Sequence, residues 1–324
     1  MLTTNDVAKC EQWFVNHGLP YFVESGHEAI QRALAPRIVG LWAAFAAVPA
    51  VAVTIVALNL DASAGEAVAL GLLTAAVVAL GRAVRVFRVG RIGRWALAHA
   101  WENRSLIGPL ATRALPFLLL FITFLFINTE VWQVSSALSR PVLWLSVAFF
   151  GALAVVFLVV RLPEEVAAVN DDLDPDVVRR AVRGTPLEPH LDDLDDVHAE
   201  PLDRRQRTNL LLVLLVTQAS QVLLLSLSVW VFFLVFGRVA IDESVITTWV
   251  GHGAPHYPLL LGRLGVSREL LQVSIFLSAF SGLYFTVYAV TDSTYRDQFF
   301  HEITHELERA VGVRAAYLAL RRVS

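Results

Sequence analysis

The sequence predicts an all-α, polytopic membrane protein with about six transmembrane helices, and three observations carry that prediction. Hydrophobic residues occupy 56% of the 324 positions and the mean hydropathy is +0.58, which is too apolar for an ordinary soluble domain. These residues are concentrated in six runs, most of them near the ~20 residues that cross the hydrocarbon core of a bilayer. The Lys and Arg residues alternate between the segments that separate the runs.

The six runs cover residues 38–60, 67–81, 115–134, 142–160, 210–236 and 270–291. The second run is short, so it spans the bilayer only if Arg82 and Arg85 reach back to the headgroups from its inner end; otherwise it is re-entrant. Runs one and two are predicted to form a helical hairpin, and runs three and four another. Three tryptophans near predicted outer ends are expected to be interfacial anchors: Trp132, Trp144 and Trp230.

The basic residues predict the orientation in the membrane. From the N-terminus, the segments outside the runs contain three, none, seven, one, seven, three and five Lys or Arg residues. Twenty-two of the 26 therefore fall on one side, and the basic side of a membrane protein is the cytoplasmic side. Both termini are predicted to be inside.

This orientation divides the chain into alternating membrane and water-exposed parts. The prediction is a cytoplasmic N-terminal arm at 1–37, four transmembrane helices within 38–160 with an Arg-rich cytoplasmic loop at 82–113, an acidic cytoplasmic loop at 161–209, two transmembrane helices within 210–291 with an external loop at 237–268, and a cytoplasmic C-terminal helix at 292–324. Both ends are expected to contribute amphipathic cytoplasmic helices.

Composition indicates the compartment and excludes one class of partner. The chain has 25 Arg and a single Lys among abundant Ala, Val and Leu, a bias typical of a GC-rich bacterial genome, so we expect a bacterial plasma membrane. The net charge of -3 argues against a nucleic-acid partner. The single cysteine, Cys10, cannot form an intramolecular disulfide and is predicted to be an inert thiol.

Five arginines follow the second run at every third position: Arg82, Arg85, Arg88, Arg91 and Arg94. This spacing resembles the gating helix of voltage sensors, but here the arginines begin where the apolar run ends, and a spacing of three drifts around an α-helix. We therefore predict that they bind anionic lipid headgroups of the inner leaflet.

Polar residues inside the runs raise a second function, a transporter or channel. Glu130 lies in run three, and Gln218 and Gln221 lie in run five. A polar pathway requires these three side chains to face one water-accessible cavity. A scaffold instead buries Gln and Ser in helix contacts and lets Glu130 reach the surface.

A third function, a membrane zinc peptidase, rests on His301-Glu302-Ile303-Thr304-His305. On a helix this motif places two imidazoles one turn apart as zinc ligands, with Glu302 positioned to activate a water. No His or Glu follows Glu308 to supply a third ligand, so we expect no metal, no catalytic residue and no cofactor. The alternative is an amphipathic helix whose buried face is formed by Phe299, Phe300, Ile303, Leu307, Ala310 and Val311.

Motifs at the two ends resemble those of a set of integral membrane proteins of actinobacteria. These are Trp13-Phe14, Gly18-Leu19-Pro20-Tyr21-Phe22-Val23, Asp292, Tyr295-Arg296, Phe299 and Val313-Arg314-Ala315. The resemblance implies a bacterial, membrane-embedded protein and no particular activity. From the residues, the first prediction is a non-enzymatic protein that organises lipids or protein partners at the cytoplasmic face.

Overall fold

The computed structural model describes residues 4–17, 19, 22, 36–86, 90, 93, 115–171, 174–193, 202–253, 266–291 and 307–321. Within these ranges the chain forms helices and no strand. In order they are α1 Thr4–Asn16, α2 Pro36–Asn59, α3 Ala64–Val86, α4 Leu115–Phe126, α5 Thr129–Ala137, α6 Arg140–Asp171, α7 Pro175–Val182, a 3-10 helix Glu188–Asp193, α8 Arg204–Ala240, α9 Glu243–Val250, α10 Arg268–Thr291 and α11 at 307–321.

Five of the described helices are long and apolar enough to cross a membrane: α2, α3, α6, α8 and α10. The number becomes six if the bent pair α4 and α5 is counted as one span. The chain is therefore an all-helical, multi-pass membrane protein, as the runs predicted. The second run gains length because α3 continues through Arg82 and Arg85 to Val86; its 23 residues extend about 34 Å, enough for the hydrocarbon core.

The third run is not one continuous helix, and the bend has a local cause. The axes of α4 and α5 differ by 72° across Ile127 and Asn128. Asn128 caps α5, because its side-chain oxygen accepts hydrogen bonds from the backbone N–H groups of Glu130 (2.8 Å) and Val131 (3.3 Å). An N-cap of this kind satisfies the free N–H groups of a new helix.

The same bend corrects the prediction for Trp132. Its side chain is fully buried, and its indole N–H donates to the Phe126 carbonyl at the end of α4 (2.6 Å). Trp132 therefore packs between α5 and α4, linked to α4 by this hydrogen bond, and is not an interfacial anchor. Trp144, in contrast, is 53% exposed on α6, as an anchor should be.

Helices α2 and α3 form the predicted hairpin. A four-residue link joins them, with Asp61 in the left-handed region at φ 58°. Ser63 and Glu66 then form a reciprocal capping box: the Ser63 hydroxyl accepts from the Glu66 N–H (3.3 Å), and the Glu66 carboxylate accepts from the Ser63 N–H (3.2 Å). Gly71 allows close contact, since a Cβ there would collide with Thr54 on α2.

Helix α10 lies at the centre of the bundle, in contact with α4, α5, α6 and α8. Its buried residues include Ser274, Ser281 and Gly282, and a Cβ on Gly282 would collide with Ser226 of α8. The predicted hairpin of runs three and four is wrong. The strongest partner of α6 is α10, because the bend carries α5 away from α6 and onto α10 and α9.

Helices α6 and α8 are longer than a membrane is thick. With 32 and 37 residues they extend about 48 and 55 Å, against a hydrocarbon core of about 30 Å. The hydropathy boundaries at 160 and 210 therefore fall inside helices, since α6 continues to Asp171 and α8 begins at Arg204. The predicted acidic loop also contains a helix, α7.

Four elements form a unit that we call the terminal module: α1, α7, the 3-10 helix and α11. Phe14 of α1 stacks edge to face on Tyr317 of α11 (6.1 Å between centroids). Gly312 of α11 lies so close to α7 that a Cβ would be 2.7 Å from Ala181 Cβ. His190 of the 3-10 helix and Asp6 of α1 are 3.8 Å apart.

The prediction for the C-terminal helix holds for three residues and needs extending. Leu307, Ala310 and Val311 are buried as expected, whereas Phe299, Phe300 and Ile303 lie outside the described residues. Val313, Arg314, Ala316 and Tyr317 are buried as well. Helix α11 is therefore surrounded by protein on most sides. It does not pack on a surface through one apolar face only.

Candidate functional site

The three candidate pathway residues lie on two helices, α5 and α8. Glu130 is exposed in the first turn of α5, where the positive end of the helix dipole favours a carboxylate. Gln218 is fully buried and Gln221 is half-buried, both within α8. None of the three lines a cavity described for the bundle.

The bundle instead contains an open apolar groove of about 700 Å³ between α6, α8 and α10. Ser278, Ala279 and Gly282 of α10 contribute small side chains, while Trp144 and Trp230 also line it. The Ser278 hydroxyl is occupied, because it donates to the Ile275 carbonyl (2.9 Å). The groove therefore suits hydrocarbon and has no chain of polar groups that could guide an ion.

The two arginines of the Arg-rich series that the structure describes lie at the end of α3. The Arg82 guanidinium carbon is 4.4 Å from the centroid of the Trp42 ring on α2, which is a cation–π geometry. Arg85 is exposed. Arg88, Arg91 and Arg94 lie outside the described residues.

The zinc motif also falls beyond the described part of the chain, since His301, Glu302 and His305 all precede α11. Among the residues that the structure describes, no group of three or more His, Cys, Asp or Glu side chains could hold a metal ion. The helix that follows the motif is a core element of the terminal module.

Cys10 lies in that same core and is chemically quiet. The side chain is 1% exposed. Burial, followed by the carboxylates of Asp6 and Glu11, raises the pKa of the thiol to about 11. Because the thiolate is the reactive form, Cys10 has little nucleophilic character at neutral pH.

The terminal module also carries a basic cleft that sequence reasoning missed. Its volume is about 340 Å³, and it is lined by Val177, Arg180, Ala181, Arg183, Glu308 and Arg309. Helix α7 contributes Arg180, and Arg183 follows directly as its C-cap. Helix α11 contributes Glu308 and Arg309. The close contact at Gly312 and Ala181 holds the two helices together below the cleft.

A second feature that was missed is a buried carboxylate at the start of α10. Glu269 is 2% exposed and its Oε2 has no hydrogen-bond partner within the described structure. The predicted external loop ends at 268 and the sixth run begins at 270, so Glu269 lay between them and was assigned no role. Nearby, the Gln272 side chain donates to the Leu138 carbonyl (2.9 Å) and ties α10 to the α5–α6 corner.

The bundle and its terminal module define the class of the protein: a multi-pass helical membrane protein with an ordered module built from both ends of the chain. Comparisons with protein-family models, with curated proteins and with solved structures found no match.

Proposed function

We propose that this chain is a non-enzymatic protein of a bacterial plasma membrane that organises anionic lipids or protein partners at the cytoplasmic face. The observation that carries the proposal is the terminal module. Its elements come from three separate segments, and the distribution of basic residues predicts that all three lie on the cytoplasmic side. A protein that only anchors itself has no need of a folded unit assembled from both ends.

The orientation belongs to the same proposal. Contacts between α1 and α11 favour placing both termini on one side, and the basic residues favour that side being cytoplasmic. At the opposite end, the Gln133 side chain donates to the Trp249 carbonyl (3.1 Å), which agrees with external positions for the α5–α6 corner and α9.

The distribution of polar groups supports an organising role over a transporter. A scaffold is expected to bury its Gln and Ser side chains in contacts between helices and to leave Glu130 at the surface. Gln218, Ser274 and Ser281 are buried, and Glu130 is exposed. The groove between α6, α8 and α10 offers an apolar surface to lipid chains, and Arg82 and Arg85 supply charge at the end of α3.

Reporter fusions test the orientation. We expect periplasm-active reporters to work after Gly65, Ser139 and His252, and cytoplasm-active reporters to work after Asp195 and Val323. Periplasmic activity at Asp195 would place the terminal module outside and overturn the proposal.

Electron spin resonance with spin-labelled lipids tests the function. In vesicles containing the purified protein, labelled phosphatidylglycerol should be enriched over labelled phosphatidylcholine in the motionally restricted fraction. The double variant Arg82→Gln, Arg85→Gln should reduce that preference, since each arginine near an anionic surface contributes about 1 kcal/mol. Arg238→Gln, at the predicted outer end of α8, is the matched control. Equal restriction of both lipids by the wild-type protein contradicts the proposal.

A further inference from the structure

The basic cleft of the terminal module carries an inference about a ligand. Three arginines and one glutamate line a space of about 340 Å³ between α7 and α11. Arg309 crosses towards α7, because its Nη2 would be 3.6 Å from a Cβ at Gly184. Gly184 has φ 74°, a conformation that turns the chain sharply after Arg183 and favours glycine. Side chains from two helices thus meet at one opening.

Among the described residues, Glu308 is the acid that the cleft lining offers against its three arginines. Arg180 donates from Nε to the carbonyl of Asp176 in its own helix (3.3 Å), and the Arg309 guanidinium lies 5.9 Å from the centroid of Trp13. Neither contact supplies a negative charge. The carboxylate of Glu188 accepts a hydrogen bond from the Gly184 N–H (3.0 Å) and does not line the cleft. The described lining therefore has a formal charge of about +2.

Stabilisation of α7 explains only part of this arrangement. Basic residues in the last turn of a helix interact favourably with its dipole, which accounts for Arg180. It does not account for Arg309, which comes from α11 and is directed to the same opening. Convergence of guanidinium groups from different helices is the arrangement that recognises a bound anion.

We infer that this cleft binds a phosphate-bearing anion. A guanidinium matches phosphate oxygens with two parallel hydrogen bonds, and a cleft of this volume accommodates a small phosphate ester. The phosphate belongs either to an anionic lipid headgroup or to a soluble ester. The inference rests on the proposed function for its cytoplasmic location only, because the geometry and charge of the cleft are independent of orientation.

The test uses the full-length purified protein and two probes. Isothermal titration in detergent measures binding of sn-glycerol 3-phosphate, with inorganic phosphate as a second soluble probe. Native mass spectrometry measures retention of phosphatidylglycerol by protein taken from nanodiscs that contain equal phosphatidylglycerol and phosphatidylcholine. Binding of sn-glycerol 3-phosphate would show that a soluble phosphate ester is a sufficient ligand. Retention of phosphatidylglycerol without binding of the soluble probes would show that the ligand is the lipid headgroup.

In either arm, Arg309→Gln and Arg183→Gln should each weaken binding at least tenfold. Glu308→Gln should strengthen it severalfold, since it removes the acid from the lining; a merely structural role for Glu308 does not give that gain. Arg321→Gln, on the same helix but outside the cleft, is the matched control and should bind like the wild type. Thermal unfolding of each variant verifies that the terminal module is intact.

Two results overturn the inference: no binding of any probe by the wild type, or binding that Arg309→Gln and Arg183→Gln leave unchanged. Failure here is distinguishable from failure of the proposed function. If only the cleft is wrong, the lipid preference that depends on Arg82 and Arg85 persists. If only the organising role is wrong, that preference is absent while binding of the soluble probe depends on the cleft arginines.

Discussion

Helices α10 and α2 have 24 residues each, yet they occupy opposite positions in the molecule. Half of the apolar window of α10 is buried, against 6% for α2. The less buried helix is the more hydrophobic one, with a mean hydropathy of 2.3 against 1.7. In a membrane, contact with lipid selects for apolar side chains, whereas contact between helices selects for small and hydroxyl residues that allow close approach. Hydropathy therefore identifies both spans, but it does not tell which of the two is buried.

The largest expected effect is at the helix that packs on α10. Trp132→Ala removes a fully buried indole and its hydrogen bond to Phe126, so it should cost about 3 to 5 kcal/mol of stability. Trp144→Ala, at an exposed position of α6, should cost far less. The measurement is the thermal unfolding midpoint of each variant in detergent. Equal shifts for the two variants would show that burial in this bundle does not set stability.

A glycine pair compares α10 and α2 directly. Gly282→Leu inserts a side chain where even a Cβ would collide with Ser226, and we expect a loss of about 1 to 3 kcal/mol. Gly40→Leu places the same side chain on α2, where no atom lies within 4 Å of a Cβ. That variant should be neutral or slightly more stable, because leucine favours helix over glycine. A destabilised Gly40→Leu protein would reveal a partner packed on α2.

The smallest effect concerns reactivity within the terminal module. At pH 7.5 the Cys10 thiol should react with a maleimide much more slowly than a cysteine at Ala64, introduced into a Cys10→Ser background at the exposed start of α3. Above pH 9 the unfolded chain ionises its thiol before the folded chain does, so the raised pKa makes folding less favourable as the pH approaches 11. Mass spectrometry of the labelled protein gives both rates; similar rates at pH 7.5 would contradict a buried Cys10.

The spans were predictable because hydropathy is a local property of the chain. The α2–α3 hairpin was predictable for the same reason, because two helices joined by a four-residue link pack side by side in antiparallel orientation. The break at Asn128 also had a local signal: Asn128-Thr129-Glu130 combines an N-cap residue with an acid in the first turn. Averaging hydropathy over the whole run concealed it. Glu130 was weighed as an intramembrane carboxylate or a residue that reaches the surface, but not as a helix-start residue.

The central position of α10 and the basic cleft were not predictable from the sequence. The place of α10 depends on which helices contact Ser274, Ser281 and Gly282. The periodicity of the sequence predicts which face of a helix packs, but it does not predict which helix packs against that face. The cleft requires Arg183 and Arg309 to meet, although two membrane-spanning helices, α8 and α10, lie between them in the chain. Their meeting depends on the fit of Gly312 against Ala181, which only tertiary packing reveals.

The difference between the two long rods, α6 and α8, has a mechanical consequence. Helix α8 contains no proline along its 37 residues, whereas α6 contains Pro163 near the point where its apolar part ends. A proline removes one backbone hydrogen bond and softens a helix at that point. Over a stiff rod of about 55 Å, a tilt of roughly 10° moves the far end by roughly 10 Å. The module is joined along the chain to one helix that contains Pro163, α6, and to one without a proline, α8, so a bend between module and bundle is expected at Pro163.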